Sequence, residues 1–372
     1  MLSKKSLGLY IHIPFCKSKC PYCDFYSITS KNCENKYIEA VCRELLHWST
    51  KARNRIVDTV YFGGGTPSFL SAKSIEKILS CVKENYNFAP KEVTLEVNPA
   101  DYIKEDFESL YKIGVNRISI GAQSLDDDEL EILGRRHNSE NIYETYKNAK
   151  LSGFENISLD LILAFPTQTE KSVEKFINFC KDENIKHISA YLLKIEKGTA
   201  FYENKNDLKF LDEDASADMY LYFCDKRKKL GYNHYEVSNF SKKCFESKHN
   251  LKYWNLDEYI GIGPSAHSFF DGKRFYYDSN IDSFISNVNN EVLSENFDIE
   301  TEYFMLQMRL NSGINREDYR KKLGKNMPEK FFAVAKKYSK IGLCEIKNGE
   351  NINFTDKGFL VSNYIISEIL QI

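Results

Sequence analysis

Short apolar, strand-like runs recur through the first half of the chain, and a segment of helical character follows each one. The predicted strands are residues 7–13, 57–62, 92–97, 117–121, 158–163 and 187–192. The predicted helices between them include residues 36–47, 74–86, 104–112, 127–133, 139–151 and 170–182. This alternation predicts an α/β fold with a parallel sheet. Repeated strand–helix units suit either an open (β/α)6 barrel, which is a partial TIM barrel, or a doubly wound sheet. Both architectures gather ligands at the carboxyl ends of their strands.

The pattern becomes less regular after the last of these units. Residues 214–230 predict another helix, and residues 235–240 and 259–262 predict short strands at the side of the barrel. From about residue 300 the pattern changes to consecutive helical stretches at residues 301–310, 316–323 and 328–341. A hairpin over residues 342–354 follows, and it turns at an Asn-Gly pair.

Helices followed by a β-wing predict a small C-terminal domain that is helical and winged-helix-like. We therefore predict a partial barrel over residues 1–240, a barrel-side extension over residues 241–300 and the C-terminal domain over residues 301–372. Winged helices often bind DNA, but this one is not basic enough to predict a nucleic-acid partner.

Composition and charge narrow the class of protein. The chain of 372 residues has 51 Lys and Arg against 53 Asp and Glu, so nothing in its charge indicates a nucleic-acid or membrane-surface partner. Two lysines precede the first apolar run, as in a secretion signal, but His12 and Pro14 interrupt that run. No apolar stretch approaches the roughly 18 residues that cross a bilayer. We therefore expect a cytoplasmic protein, in which thiols stay reduced.

Three of the ten cysteines are clustered as CxxxCxxC, at Cys16, Cys20 and Cys23, directly after the first predicted strand. Three thiolates suit a [4Fe–4S] cluster, because sulfur ligands bind iron well. They leave one iron open, which the amino and carboxylate groups of S-adenosylmethionine (SAM) can chelate. A zinc site lacking a ligand and incidental loop cysteines are the alternatives. The other seven cysteines are scattered singly, as expected of buried residues without a role in the chemistry.

Further candidate residues follow the next predicted strands. A Gly-Gly-Gly-Thr-Pro-Ser run at residues 63–68 allows the backbone to approach a ligand closely. Glu96 ends the third strand, Gln123 follows the fourth and Asp160 lies within the fifth. Carboxylates on apolar strands need partners, and ribose hydroxyls or an ammonium group would satisfy them. Arg135 offers a guanidinium for a carboxylate. Surface salt bridges are the alternative for each.

These motifs together resemble one known family along nearly the whole chain. The segments that carry the resemblance are residues 10–25, the glycine run, residues 96–99, 117–123, 159–161 and 259–263. The family is that of the oxygen-independent coproporphyrinogen III oxidases and their relatives. The resemblance implies an open-barrel radical SAM domain with a largely helical C-terminal part, and it assigns the cluster to the three clustered cysteines. It assigns SAM contacts to Tyr10, Gly64, Gly65, Thr66, Glu96, Gln123, Arg135 and Asp160.

Within this family the sequence resembles the heme chaperones more than the oxidases. The oxidases carry another cysteine two residues after the third cluster ligand, where this chain has Phe25, and they begin with an N-terminal extension. This chain also contains HNxxYW, a motif of the chaperones, with His249, Tyr253 and Trp254. Histidine ligates heme iron, and Tyr and Trp offer flat faces to a porphyrin. Alternatively, His249 fixes a loop and Trp254 fills a core.

Three functions are consistent with these features. The leading hypothesis is a chaperone that binds heme and transfers it to heme-requiring, respiratory proteins, for which a membrane location is one option. Its cofactors would be the [4Fe–4S] cluster, SAM and heme, and a reductant would serve the cluster. The main alternative is an oxidase that decarboxylates coproporphyrinogen III to protoporphyrinogen IX after hydrogen abstraction by a 5′-deoxyadenosyl radical. A weaker alternative is a radical SAM methyltransferase that acts on heme.

Overall fold

Parallel strands form the centre of one large sheet in the computed structural model, which describes residues 5–205 and 208–371. The strands are β1 (Lys5–Ile13), β2 (Arg55–Gly64), β3 (Phe88–Val97), β4 (Arg117–Gln123), β5 (Asn156–Leu163) and β6 (His187–Leu192). They stand in the sheet in chain order, and each neighbouring pair is parallel. A doubly wound sheet would reverse its strand order near the middle, so this order excludes that architecture.

Helices connect the strands β1 to β6 or follow the last of them, and several begin at side-chain caps. They are α1 (Glu34–Lys51), α2 (Ala72–Asn85), α3 (Lys104–Ile113), α4 (Asp127–Ile132), α5 (Ser139–Leu151), α6 (Glu170–Asp182), α7 (Ala200–Glu203) and α8 (Glu213–Lys229). The Thr169 hydroxyl, for example, accepts a hydrogen bond from the Ser172 amide at the start of α6. Every strand and helix predicted for this half is confirmed, with boundaries shifted by at most a few residues. Within residues 5–205 and 208–371, no helix has the length and apolar character needed for a membrane crossing.

The parallel strands divide their side chains between two faces, because successive residues point to opposite sides. On β3, the apolar residues Val93, Leu95 and Val97 belong to the main hydrophobic core. The alternate positions carry Glu92 and Glu96, which face the interior of the curved sheet. The interior is therefore polar. Glu92 lies nearer the amino-terminal end of β3, and Glu96 lies nearer its carboxyl end.

Antiparallel strands extend the sheet beyond β6. β7 (Asn233–Glu236) and β8 (Asn239–Ser241) form a hairpin, and β8 pairs with β6. The single strand predicted over residues 235–240 is therefore wrong. Val237 and Ser238 separate the two strands, so the chain reverses within that segment. α9 (Lys248–Trp254) follows this hairpin and carries the HNxxYW motif.

The other edge of the sheet grows outward from β1. β9 (Tyr259–Ile262) lies parallel to β1 and confirms the strand predicted there. β10 (His267–Phe270), β11 (Lys273–Tyr276) and β12 (Leu293–Glu295) continue the sheet in antiparallel order. α10 (Ile281–Ser286) lies between β11 and β12 in the sequence and packs against α1.

The C-terminal part has its own small sheet and core. Its elements are α11 (Ile299–Gln307), β13 (Ile314–Asn315), α12 (Arg316–Leu323), α13 (Glu329–Ser339), β14 (Cys344–Lys347), β15 (Asn351–Phe354), α14 (Asp356–Leu360) and α15 (Ser362–Leu370). The three helices and the hairpin predicted here are confirmed. Asn348 and Gly349 both have positive φ at the hairpin turn. Leu256 and Phe269 also belong to this core, and the predicted boundary at residue 301 stays a prediction. The outermost residues of the predicted domains, 1–4 and 372, lie outside the described residues.

A buried charge cluster joins the two parts. Arg227 of α8 donates from Nη2 to both carboxylate oxygens of Asp356 in α14, at 2.8 and 2.9 Å. His234 of β7 donates from Nδ1 to the same carboxylate at 2.8 Å. The side chains of Arg227 and His234 are 7% and 2% exposed, so Asp356 is the anion that compensates a buried guanidinium.

Replacing Asp356 with alanine should therefore loosen the junction. The change leaves Arg227 and His234 without their acceptor in a buried setting, and we expect it to cost about 2–3 kcal/mol of unfolding free energy. Thermal unfolding followed by calorimetry measures the loss. Asp225→Ala is the control, because Asp225 pairs with Lys229 on the solvent-exposed surface of α8. Equal thermal midpoints for the two variants would contradict a stabilising junction.

Candidate functional site

A cavity of about 350 Å³ opens at the carboxyl ends of the parallel strands. The loop after β1 supplies the three clustered cysteines, and the end of β2 with the loop that follows it supplies Gly64, Gly65 and Thr66. The ends of the following strands contribute further polar residues of the wall, among them Glu96, Asn98, Ser119, Gln123 and Asp160, and the segment after α4 adds Arg135. The fold therefore brings the three clustered cysteines and all but one of the candidate SAM contacts into one pocket.

The cysteine loop is fastened at its base and presents its sulfur atoms to the cavity. The Cys16 amide donates to the Ile28 carbonyl at 2.9 Å. The Thr66 hydroxyl donates to Sγ of Cys16, and the Arg135 guanidinium donates to Sγ of Cys20, each at 3.3 Å. Such donors stabilise sulfur in its anionic form. Burial raises the pKa of Cys23 to about 11, so a bound metal would have to displace the thiol protons.

The three cysteines do not form a site for a single metal ion within the described residues. Among the described residues, no group of three or more His, Cys, Asp or Glu side chains is arranged to hold a metal ion. In a [4Fe–4S] cluster each cysteine ligates a different iron, so the sulfur atoms need not converge on one point. The donor set, three cysteine thiols with two hydrogen-bond donors aimed at them, fits such a cluster.

The glycine loop owes its composition to packing as well as to the cavity. A Cβ atom on Gly64, which has φ of 109°, would lie 2.5 Å from the His12 ring. A Cβ atom on Gly65 would lie 2.8 Å from the Ile13 carbonyl oxygen, to which the Gly65 amide donates. The loop thus lies directly against the start of the cysteine loop. Both glycines also line the cavity.

Two carboxyl groups, those of Glu96 and Asp160, face the cavity, and both have raised pKa values. Glu96 accepts from the Tyr61 hydroxyl at 2.7 Å and from the Gly64 amide at 3.3 Å. Asp160 accepts from the Ser119 hydroxyl at 3.2 Å. Burial, together with the neighbouring Asp160, raises the pKa of Glu96 to about 7, and burial raises the pKa of Asp160 to about 6. A cationic or hydroxyl-bearing ligand would stabilise both ionised carboxylates.

Arg135 connects the cysteine loop to the ends of two strands. Its Nη2 donates to the Asn98 side-chain oxygen at 2.5 Å and to the Gly121 carbonyl at 3.0 Å. Its Nε is buried without a hydrogen-bond partner within the described residues. Most of its donors thus serve the protein, although the side chain also lines the cavity. Gln123 lies beside it at the wall, in the left-handed region with φ of 70°.

Tyr10 is the one predicted SAM contact that does not line the cavity. Its hydroxyl donates to Nδ1 of His12 at 3.1 Å, while Nε2 of His12 donates to the Tyr26 carbonyl. Burial lowers the pKa of His12 to about 4, so the ring is neutral and can accept this bond. Tyr10 therefore supports the wall from one layer below, next to Tyr61.

Sequence reasoning missed several residues of the site. Asn98, Ser119 and Tyr61 all contact predicted site residues, yet none was singled out. The signal was present in the strand alternation: Tyr61 and Ser119 occupy interior positions on strands that end at the cavity. Asn98 follows two residues after Glu96 at the end of β3 and lies on the same side.

The HNxxYW motif lies away from the cavity, and none of its three predicted heme contacts lines the wall. His249 is fully buried, and its Nδ1 and Nε2 lie 2.8 Å from the hydroxyls of Thr59 and Tyr253. Burial lowers the pKa of His249 to about 3, so the ring is neutral. Trp254 ends the helix and is partly buried. The structure therefore does not bring these residues together with the cluster residues.

Comparisons with known proteins show the family to which the chain is related. The sequence model of the radical SAM superfamily matches residues 10–180. The heme chaperone HemW of Lactococcus lactis is 35% identical over 387 aligned positions, covering 100% of this chain and 98% of that protein. HemW of Bacillus subtilis is 34% identical and covers 97% and 98%. The chain belongs to the HemW family.

A solved structure shows the same fold. Coproporphyrinogen III oxidase (HemN) from Escherichia coli superposes with a TM-score of 0.83 over 98% of this chain and 90% of that one, at 19% sequence identity. At that identity the likeness concerns the fold alone. Membership of the radical SAM superfamily implies a [4Fe–4S] cluster and SAM for HemW-family proteins, in agreement with the donor set in the cavity.

The two raised carboxyl pKa values predict an unusual pH dependence of stability. Between about pH 4.5 and 7 the folded protein holds more protons on Glu96 than the unfolded chain does, so the free energy of unfolding falls as pH rises across that window. Glu96→Gln removes this fall in the free energy of unfolding, because glutamine does not titrate. We expect the variant to gain roughly 2–4 °C in thermal midpoint relative to the parent between pH 5 and pH 7.5. Parallel curves for parent and variant would show that Glu96 titrates normally.

Proposed function

We propose that this protein is a heme chaperone: it binds heme and delivers it to heme-requiring acceptor proteins. The observation that carries the proposal is the full-length similarity to proteins named heme chaperone HemW. Phe25 supports it, because the related oxidases carry a cysteine at that position. The proposal includes a cytoplasmic location and a reductant for the cluster, as predicted from the sequence.

We further propose that Cys16, Cys20 and Cys23 hold the cluster. When bound, a [4Fe–4S] cluster supplies single electrons. The protein's own contribution is to orient and shield it: Thr66 and Arg135 donate to the sulfur atoms of two ligands. Donors of this kind tune the reduction potential of a cluster. The backbone bonds at the base of the loop keep the cysteines at the mouth of the cavity.

The remaining walls of the cavity are proposed to bind SAM. Glu96 and Asp160 offer carboxylate oxygens to ribose hydroxyls or to the ligand ammonium, and the Arg135 guanidinium in the same wall is the candidate partner of a ligand carboxylate. Gly64, Gly65, Thr66 and Gln123 complete the wall, with Tyr10 behind it. The volume of about 350 Å³ lies within the usual range for small-molecule sites.

We also propose a division of the chain into a barrel and a C-terminal domain. The parallel strands β1–β6 would form the open (β/α)6 barrel, with the predicted barrel unit ending near residue 240. The order helix, short strand, two helices and hairpin from α11 to β15 favours a winged-helix-like C-terminal domain. The residues 241–300 between them extend the sheet at its side.

The heme contacts predicted at His249, Tyr253 and Trp254 rest on motif spacing. Ligation of heme iron by His249 would require Nε2 to leave the Tyr253 hydroxyl and the buried ring to reach the surface. Heme binding by the protein does not depend on this assignment, because other histidine or cysteine residues can ligate the iron.

Heme titration and a decarboxylation assay together test the function. We expect the cluster-loaded protein to bind heme stoichiometrically, with a Soret band that saturates near one equivalent. We expect no protoporphyrinogen from coproporphyrinogen III under reducing, anaerobic conditions with SAM. SAM-dependent decarboxylation, with no heme affinity above that of an unrelated control protein, would overturn the chaperone and restore the oxidase.

A further inference from the structure

The helix that carries the HNxxYW motif is fastened to the amino-terminal end of the strands, opposite the cavity. Glu92 of β3 accepts hydrogen bonds from the first backbone amides of α9, from Lys248 at 2.9 Å and from His249 at 3.0 Å. A buried carboxylate at a helix N-terminus compensates both its own charge and the unpaired amides. Lys252 of the same helix reaches Asp58 of β2 at 2.7 Å and Ser6 of β1 at 2.9 Å.

A second set of contacts connects the start of α9 to the remaining strands. The Ser247 amide donates to the Tyr235 hydroxyl at 3.1 Å, which lies 2.8 Å from Nε2 of His187 on β6. Nδ1 of His187 lies 2.7 Å from the Ser158 hydroxyl on β5 and 3.5 Å from Arg117 on β4. Each of the strands β1 to β6 is thus linked to α9 or to its N-cap Ser247, either directly or through His187 and Tyr235.

His249 occupies the place where this helix meets the interior of the sheet. Its ring lies over Gly8 of β1, where a Cβ atom would be 3.1 Å from Cε1. Nδ1 lies 2.8 Å from the Thr59 hydroxyl of β2. The ring also packs on Tyr61, two residues further along β2, with centroids 5.3 Å apart and planes inclined by 31°.

Tyr61 carries this contact toward the cavity. Its hydroxyl donates to Oε1 of Glu96 at 2.7 Å, and Glu96 lines the cavity at the other end of the sheet. A chain of direct contacts therefore runs from His249 through Tyr61 to Glu96.

We propose that His249 is a positioning residue of the SAM pocket: it closes the amino-terminal end of the barrel and fixes the Tyr61 ring, which in turn orients the Glu96 carboxylate. The inference rests on the proposed SAM site, and it gives the HNxxYW motif a role that does not involve heme ligation. Both ring nitrogens are already used within the protein, in agreement with such a role.

SAM affinity of cluster-loaded protein, measured by calorimetry, tests the coupling. His249→Ala should weaken SAM binding about three- to tenfold while the iron content stays constant, because Tyr61 loses the surface that fixes its ring. His249→Gln, which keeps a polar group near Tyr253, should recover part of the affinity. His234→Ala is the matched control: His234 is also a buried, hydrogen-bonded histidine, but it contacts Asp356 and not the barrel interior.

A double variant separates positioning from general destabilisation. If His249 acts through Tyr61, then His249→Ala should add little further loss of SAM affinity to Tyr61→Phe. Full additivity of the two losses, or unchanged SAM affinity in His249→Ala, would overturn the proposal. A heme titration gives the other decisive result. Both His249 variants should keep the parent Soret band, and loss of heme binding at unchanged SAM affinity would make His249 a heme ligand instead.

Hydrogen exchange separates a failure of this inference from a failure of the proposed function. In the absence of SAM, the amides of residues 59–64 should exchange faster in His249→Ala than in His234→Ala or in the parent protein. If the parent protein binds no SAM, the proposed SAM site is wrong, and this measurement then decides whether His249 fixes β2. Equal exchange of residues 59–64 in all three proteins would overturn the inference.

Discussion

Alanine in place of Cys16, Cys20 or Cys23 is expected to abolish the iron–sulfur cluster. In the proposed site each of the three cysteines would ligate one iron, so each change would leave only two anchors. Thr66 and Arg135 donate hydrogen bonds to sulfur but cannot replace a ligand. After anaerobic reconstitution we expect about four iron atoms and a broad visible absorption for the parent protein, and neither for the three variants.

Cys33→Ala is the control for this experiment. Cys33 precedes α1 and is partly buried, as Cys20 and Cys23 are, but it does not line the cavity. The variant should therefore keep its full iron content. A loss of iron in Cys33→Ala as complete as that in Cys23→Ala would show that the ligands are assigned wrongly. Retention of iron in Cys20→Ala would contradict the three-cysteine site itself.

Much of the parallel sheet could be predicted because each strand is short, apolar and bounded by polar segments. β6 and the helices α5 and α6 begin and end where the pattern predicts. The strands that pair antiparallel at the two edges were harder to predict. β10 and β11 depend on Gly272 and its neighbour Asp271, both with positive φ, at a turn between them. Their short length gives little periodicity to detect.

The residues of the cavity were predictable because chemistry at strand ends leaves a local signature. Cysteine spacing, a glycine run and isolated carboxylates are all visible without the fold. Tyr61 and Asn98 were not predicted, because their role depends on the residues that they contact on neighbouring strands. The scattered cysteines illustrate the same limit. Cys180, Cys224 and Cys344 are buried as predicted, whereas Cys244 is exposed.

The HNxxYW motif shows how spacing alone leaves a role open. The sequence offered heme ligation and loop fixation as alternatives for His249. In the folded chain α9 meets the strands through Glu92, Thr59 and Asp58, which are distant from it in sequence. Such contacts leave no periodic or local signal in the sequence. Only the tertiary structure reveals that His249 packs against the interior face of the sheet.

SAM affinity should fall about 10- to 150-fold in Glu96→Ala and in Asp160→Ala, because each change removes a charge-assisted hydrogen bond worth roughly 1.5–3 kcal/mol. Iron content should not change, since neither carboxylate contacts a cysteine sulfur within the described residues. Calorimetric titration of cluster-loaded protein at pH 8 measures the affinity. At that pH both carboxyl groups of the parent protein are ionised, since their pKa values are about 7 and about 6.

Glu44→Gln controls for the removal of a buried carboxylate. Glu44 lies in α1, is fully buried and accepts from the Tyr277 hydroxyl at 2.8 Å, much as Glu96 accepts from Tyr61. It lies outside the cavity, so its variant should bind SAM as the parent does. Glu96→Gln keeps the shape of the side chain but not its charge, and it should lose most of the affinity lost in Glu96→Ala. Unchanged SAM affinity in both Glu96→Ala and Asp160→Ala would remove these carboxylates from the SAM site. An equal loss of SAM affinity in Glu44→Gln would show that the loss reflects reduced stability, because Glu44 resembles Glu96 and Asp160 only in being a buried carboxylate.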